Sequence, residues 1–288
     1  MSKTACVFPG QGKKFGRAEL ELLERNSAKC EMADEILGYH VRDLIQNDHD
    51  KLIETRYAQP VGYLTSCLYY LEMLENTGRK PDYVIGHSLG EFCALTAGGF
   101  IALEKGIDLV RKRGEIMSGA DGGAMCAVMG KSCEDIMSAI ESEAPAETDI
   151  ANYNSPFQII ISGPEAAIKE AEERMAARGL KTKRLGVSGA FHSRYMREAC
   201  DEFRKVLLEF PFNNGGEPEV MSSVEPVLYG DDVPAILGEQ IVKPVRWMES
   251  VEKLIDMDCY DFVQADKGNV MIDLIDNIKF ARALKGRV

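Results

Sequence analysis

Two stretches of the sequence predict an α/β fold with a parallel-sheet core and a smaller unit inserted into it. In the first, the apolar run Tyr83-Val84-Ile85 leads into Gly86-His87-Ser88-Leu89-Gly90, and a helix-compatible segment follows over residues 91–97. Strand, sharp turn and helix in that order is the setting of a nucleophile elbow. Glycine at 86 and 90 lets the strained turn close, because neither residue carries a Cβ. The turn lifts Ser88 to a helix N-terminus, where backbone N–H groups favour a developing negative charge. The second stretch, residues 121–189, reads β-α-β-β-α-β, the order of a ferredoxin-like unit, and is flanked by glycines at 122, 123, 186 and 189. The expected division is therefore a large catalytic subdomain from residues 1–120 and 190–288, and a small ferredoxin-like subdomain from residues 121–189.

Taken in order, residues 3–8 suit a buried strand, which Pro9-Gly10-Gln11-Gly12 ends in a glycine-rich turn able to bring a backbone N–H close to a ligand. That turn lacks the Gly-x-x-x-x-Gly-Lys-Ser/Thr pattern of a phosphate loop. Residues 19–45 are helix-rich and charged. Residues 59–75 read as a buried helix, with Leu64, Cys67, Leu68, Leu71 and Leu74 at helical spacing. Thr77-Gly78 stops it, and the elbow strand begins after Pro81. Residues 103–117 form a helix carrying Arg111, Lys112 and Arg113, which by pattern alone is a solvated basic face. Within the insert, residues 124–129, 149–153, 158–162 and 181–187 are strands. Ser132 caps a helix running through Glu143, and residues 165–178 form a second helix that Gly179 ends. Beyond it, residues 194–210 are helical, residues 219–222 and 261–266 are further strands of the main sheet, and Val245-Arg246-Trp247 is a turn before a helix over 250–255. Residues 279–287 form a basic tail that reads as a helix end or a frayed terminus.

Composition excludes several classes. The chain has 288 residues, 45% of them hydrophobic, which suffices for a substantial core. No apolar run approaches the ~18 residues that span a bilayer, and the N-terminus lacks a signal-peptide core, so no membrane partner and a cytoplasmic location are expected. Eight cysteines are scattered without a Cys-x-x-Cys pair, which predicts buried free thiols in a reducing compartment and no metal site. A net charge of −12 argues against a nucleic-acid partner.

A serine hydroxyl is a poor nucleophile unless a base takes its proton. Of four histidines, His40 and His49 sit in polar surroundings, and the His87 side chain should diverge from that of its neighbour Ser88. His192, in the turn Gly189-Ala190-Phe191-His192-Ser193, remains as the base. No acid stands out as a third member: Asp108, Asp121, Asp135 and Asp149 lie between Ser88 and His192, but none follows a convincing strand of the main sheet. A backbone carbonyl can also hold a histidine tautomer, so a Ser-His dyad is expected.

Several motifs together resemble the malonyl-CoA:acyl carrier protein transacylase family, including the acyltransferases of polyketide synthesis. They are Pro9-Gly10-Gln11-Gly12, Tyr57-Ala58-Gln59-Pro60, the Gly86 to Glu91 elbow, Arg113-Gly114 with Met117, Asn152-Tyr153-Asn154-Ser155-Pro156, Gly189 to Ser193, and Pro244-Val245-Arg246-Trp247. They fall in the family's order and cover nearly the whole chain. The resemblance implies a hydrolase-like parallel-sheet core with a ferredoxin-like insert. It implies Ser88 as the acyl carrier, His192 as general base and then acid, and an oxyanion hole from the backbone N–H groups of Gln11 and Leu89. It further implies that the backbone carbonyl of Gln240 orients the histidine and that Arg113 pairs with the free carboxylate of a malonyl group, which suits a planar guanidinium fork. Leu89 and Phe191 resemble the malonyl-selective versions of their motifs. The sequence departs from the family at Lys13-Lys14, where Ser-Gln is usual, and at Asp266-Lys267-Gly268, where Gly-Pro-Gly is common.

The implied reaction is ping-pong transfer of malonyl from malonyl-CoA to the phosphopantetheine thiol of an acyl carrier protein, in fatty acid or polyketide biosynthesis, with no metal or redox cofactor. A free-standing monomer acting in trans is expected. An acidic carrier would need a local basic patch, for which Lys181, Lys183, Arg184, Arg194 and Arg197 are candidates. The alternative is an acyl hydrolase of the same fold that clears stalled chains from carriers and has no need of Arg113. A catalytically silent docking module fits poorly with Ser88, His192, Gln11 and Arg113 all present.

Overall fold

The structure is a computed structural model that describes residues 2–120 and 122–286; Asp121, one of the acids considered above, lies outside them, as does Arg287 at the end of the tail. Eight strands run β1 (Lys3–Phe8), β2 (Tyr83–Gly86), β3 (Gly123–Met129), β4 (Asp149–Ser155), β5 (Gln158–Pro164), β6 (Lys181–Arg184), β7 (Glu219–Met221) and β8 (Cys259–Gln264). Among the described residues the helices are α1 (Arg17–Arg25), α2 (Ser27–Leu37), α3 (Val41–Asn47), α4 (Thr55–Thr77), α5 (Leu89–Ala97), α6 (Leu103–Ser118), α7 (Cys133–Glu143), α8 (Glu165–Ala177), α9 (Arg197–Glu209), α10 (Val233–Glu239), α11 (Trp247–Asp256) and α12 (Val270–Leu284).

Four strands form a parallel sheet in the order β7-β2-β1-β8. Both faces of this sheet are covered, which is why β1 and β2 are apolar along their length rather than alternating. Cys6, Phe8 and Val84 point into one core with Leu22, Leu64, Phe92, Val110 and Phe203. Ala5, Val7, Tyr83 and Ile85 point the other way, into a second core with Trp247, Val251, Leu254, Ile275 and Ile278. The opposite directions of successive side chains in a strand produce this division.

The remaining strands form an antiparallel sheet in the order β4-β5-β3-β6. One face packs Cys126, Val128, Ile159 and Ile161 against α7 and α8 through Ile136, Ile140, Ile168 and Met175. From the other face, Met125, Ala127, Ala151 and Ile160 join the first core of the parallel sheet. Ser132 caps α7 by accepting from Asp135 N–H at 3.1 Å.

Several bounds differ from expectation. The helix expected from residue 59 begins at Thr55, four residues before Gln59, so Pro60 sits inside α4. The strand expected over 181–187 ends at Arg184, ahead of Gly186. Two helices escaped the reading. α10 is short and starts with proline in its first turn, a favoured place for it. In α12, Met271, Leu274, Ile275 and Ile278 are spaced for one buried face, a legible signal that the reading of a tail from residue 279 passed over. Among the described residues no helix is long and apolar enough to cross a membrane, and the eight cysteines are free thiols, seven of them buried.

Candidate active site

The site gathers at the C-terminal ends of the parallel strands, where open α/β sheets place ligands. β2 ends at Gly86 and α5 begins at Leu89, so the turn between them is very tight. A Cβ on Gly86 would overlap the backbone of Gly90, and one on Gly90 would overlap the carbonyl of Phe8. Both glycines are therefore required by close backbone approach. The turn holds Ser88 at φ 51°, ψ −105°, a conformation that costs of order 1–3 kcal/mol for a residue with a side chain and persists only where its surroundings enforce it.

Ser88 Oγ lies 2.9 Å from His192 Nε2. His192 Nδ1 faces two backbone carbonyls, of Gln240 at 2.9 Å and Lys243 at 3.1 Å. A carbonyl only accepts, so the Nδ1 position carries the proton and Nε2 presents its lone pair to the serine. Burial, and then the positive charge of Arg113, push the His192 pKa from 6.5 down to about 3. The imidazole is thus neutral at physiological pH, the state a general base needs. The turn after α10 that supplies these carbonyls is anchored just downstream by Val245, whose N–H donates to Ala151 O and whose carbonyl accepts from Tyr153 N–H. This is what joins the two motifs around Asn152 and Val245. Two of the acids considered from sequence are engaged elsewhere: Asp108 pairs with Arg111 and Lys112, and Asp149 with Arg194.

Arg113, read by pattern alone as solvated, is instead fully buried. Its Nη1 donates to Gln59 Oε1 at 2.8 Å, and its Nη2 donates to Gln240 Oε1 at 2.9 Å and to Ser88 Oγ at 3.3 Å. The guanidinium also lies over the Phe92 ring, 5.2 Å from its centroid. Among the described residues it has no carboxylate partner, and its Nε has no hydrogen-bond acceptor. Burial lowers its pKa to about 9, which leaves it charged at neutral pH. The carboxylate of buried Glu91, reached only through Gln240, opposes that shift without contacting the guanidinium; a buried charge without a directly paired partner is expensive, and an anionic ligand at Ser88 would relieve it.

Gln240 links these groups. Its backbone carbonyl holds His192, its side-chain carbonyl holds Arg113, and its side-chain NH₂ donates to Ser88 O at 3.1 Å and to Glu91 Oε2 at 2.7 Å. Glu91 is buried and also accepts from Ser222 Oγ, Ser223 N–H and Oγ, and Tyr229 OH. Sequence reasoning gave no role to Glu91, Gln59, Asn154 or Lys243. Three of them, Glu91, Gln59 and Asn154, fall inside the motifs quoted above, which was the available signal; a main-chain carbonyl such as that of Lys243 leaves none.

Leu89 is the first residue of α5, so its N–H is free of an intrahelical partner. Gln11 lies in the turn after β1, which passes directly over the elbow: a Cβ on Gly10 would come within 2.9 Å of the His87 carbonyl. His87 points away from Ser88, with Nε2 2.9 Å from Asn154 Oδ1 and its ring against Trp247. Phe191 is buried, its ring occupying the space a Gly189 side chain would need, and Leu89 is buried beside Gly62. Of the basic residues considered for docking, Arg184, Arg194 and Arg197 are each paired with a carboxylate, while Lys181 and Lys183 are exposed on β6.

Residues 6–264 match the acyl transferase domain family. The chain is 40% identical to the polyketide biosynthesis malonyl CoA-acyl carrier protein transacylase BaeC of Bacillus velezensis, over 95% of this chain and 96% of that one. It superposes with a TM-score of 0.90 on the crystal structure of malonyl CoA-acyl carrier protein transacylase from Burkholderia pseudomallei, at 36% identity over 97% of this chain and 99% of that one. It superposes with a TM-score of 0.88, at 30% identity over 96% and 93% of the two chains, on a malonyl-transacylase solved in complex with its type II polyketide synthase acyl carrier protein.

Proposed function

The chain belongs to the acyl transferase domain family, and from that premise we propose that it moves malonyl from malonyl-CoA to the phosphopantetheine thiol of an acyl carrier protein through an ester on Ser88. The observation that carries this reading is Arg113: a buried guanidinium 3.3 Å from Ser88 Oγ, without a carboxylate partner among the described residues. A simple acyl ester offers it nothing, whereas the free carboxylate of malonyl would complete its fork.

In the first half-reaction Ser88 gives its proton to His192 Nε2 as Oγ attacks the thioester carbonyl. The tetrahedral oxyanion is received by the N–H groups of Gln11 and Leu89, donors worth roughly 3 kcal/mol each in comparable sites. Collapse breaks the C–S bond, and the CoA sulfur leaves with the proton from His192. In the second half-reaction the carrier thiol gives its proton to His192 and attacks the ester, and collapse returns the proton to Ser88. The carbonyls of Gln240 and Lys243 keep Nδ1–H in place throughout and stabilise the transient imidazolium. No carboxylate is needed in the dyad.

Intact-protein mass spectrometry tests this directly. Malonyl-CoA should leave a malonyl adduct that is absent from Ser88→Ala and passes to a phosphopantetheinylated carrier. Absence of that adduct, with rapid loss of acyl groups from a loaded carrier to water, would replace transfer with hydrolysis.

A further inference from the structure

The two places where the sequence departs from its family meet in space. Lys13 Nζ lies 3.5 Å from Asp266 Oδ1, with the side chains only 9% and 8% exposed. Residues 9–16, between β1 and α1, have no regular structure, and Lys13 is two residues beyond Gln11. Asp266 follows β8, the parallel neighbour of β1: Val7 pairs with Gln264, and Ala265 N–H donates to Val7 O at 3.0 Å. The pair therefore spans the ends of two adjacent strands, on the edge of the sheet that holds Ser88. We propose that Lys13 and Asp266 form a positioning clamp that fixes the turn carrying Gln11 and so sets its N–H for the oxyanion, an inference that rests on the oxyanion role of Gln11.

The clamp is built into the packing. Lys13 Nζ sits over the rings of Phe15 and Tyr69, 5.2 and 5.4 Å from their centroids. Tyr69 OH donates to Glu19 Oε1 at 3.2 Å, and Glu19 Oε2 accepts from Gly16 N–H at 2.9 Å at the start of α1. The loop is thus held from Lys13 to its junction with the helix. Upstream, the other side-chain tether is neutral, from Gln11 Nε2 to Thr55 Oγ1 at 3.2 Å. Gly12, at φ +105° with open space around it, adds no packing of its own. Burying an ammonium is costly unless it is paired, and burial does lower the Lys13 pKa while Asp266 opposes that shift. A lysine serving only solubility would stand in solvent, as Lys14 does.

The test measures both half-reactions by rapid quench: acylation of Ser88 by malonyl-CoA, and its discharge to a carrier thiol. Oxyanion stabilisation serves both, so Lys13→Met and Asp266→Asn should each slow both steps by about 10-fold, since a displacement on the order of 1 Å is enough for such losses. The Kd for malonyl-CoA, measured in a Ser88→Ala background, should stay within about 2-fold of its starting value, because the clamp touches no part of the ligand. Each single variant leaves a buried charge without its partner and should melt earlier. The double variant Lys13→Met/Asp266→Asn removes both charges, so it should regain thermal stability yet remain slow. Wild-type rates in a folded single variant, or recovery of rate together with stability in the double variant, would overturn the clamp. A wild-type enzyme that never acylates Ser88 would instead overturn the transferase reading itself.

Discussion

At the scale of single residues, the chemistry turns on which polar groups are left without a partner. Glu91 is buried among donors and fully engaged, so it acts as a fixed acceptor that pins the Gln240 amide. With its NH₂ committed to Glu91, that amide turns its oxygen to Arg113. Arg113 is the opposite case: its Nε has no acceptor, and its Nη2 lies 3.3 Å from Ser88 Oγ. Arg113→Ala should therefore lower kcat/KM for malonyl-CoA by at least about 100-fold while leaving that for acetyl-CoA unchanged or higher, because a site built around a charged partner discriminates strongly against ligands that lack it. Steady-state kinetics on the two thioesters would check this; equal losses on both would remove Arg113 from substrate recognition.

At the scale of elements, backbone proximity places the site. The elbow between β2 and α5 closes only because Gly86 and Gly90 lack side chains, and Gly106 and Gly114 let α6 approach α4 closely enough for Arg113 to reach Gln59. Gly90→Ala should fail to reach the native fold or lose several kcal/mol, since its Cβ would overlap the rigid carbonyl of Phe8. Ser132→Ala provides the contrast. It removes the α7 cap in the antiparallel unit, remote from Ser88 in the chain, and should cost about 1 kcal/mol with kcat and KM unchanged. Urea unfolding and steady-state assays of the two variants would separate these effects. The elbow and the cap were both legible in sequence because they depend on residues adjacent in the chain. Helix α10 was not, because seven residues with a proline near the start carry too little periodicity to register.

At the scale of the whole molecule, packing buries His192, and that burial has a thermodynamic consequence. His192 in the folded protein titrates near 3, against 6.5 for an exposed imidazole. Below pH 6.5 the unfolded chain takes up a proton that the folded chain refuses, so stability is present above that pH and lost as pH falls toward 3. The limiting slope is about 1.4 kcal/mol per pH unit for this group, and His87, also lowered by burial, adds in the same direction. Urea midpoints at pH 7 and pH 5 should therefore fall further for the wild type than for His192→Gln, by up to about 2 kcal/mol in stability. Equal falls would show that His192 does not carry the difference.

The sequence by itself determined the elements that local pattern encodes. Apolar strands, glycine turns and helical spacing are properties of neighbours in the chain, and they were enough to place Ser88 at an elbow and to single out His192, which lies 2.9 Å from it. Only the tertiary structure decided what those groups touch. Whether Arg113 faces solvent or Ser88, and whether Lys13 and Asp266 are two separate departures or one contact, depends on which surfaces pack together. Side-chain charge looks the same in sequence on either face of a helix. The carbonyls of Gln240 and Lys243 serve His192 as main-chain atoms, which no residue identity can signal, and they reach it because β4 pairs with the segment around Val245.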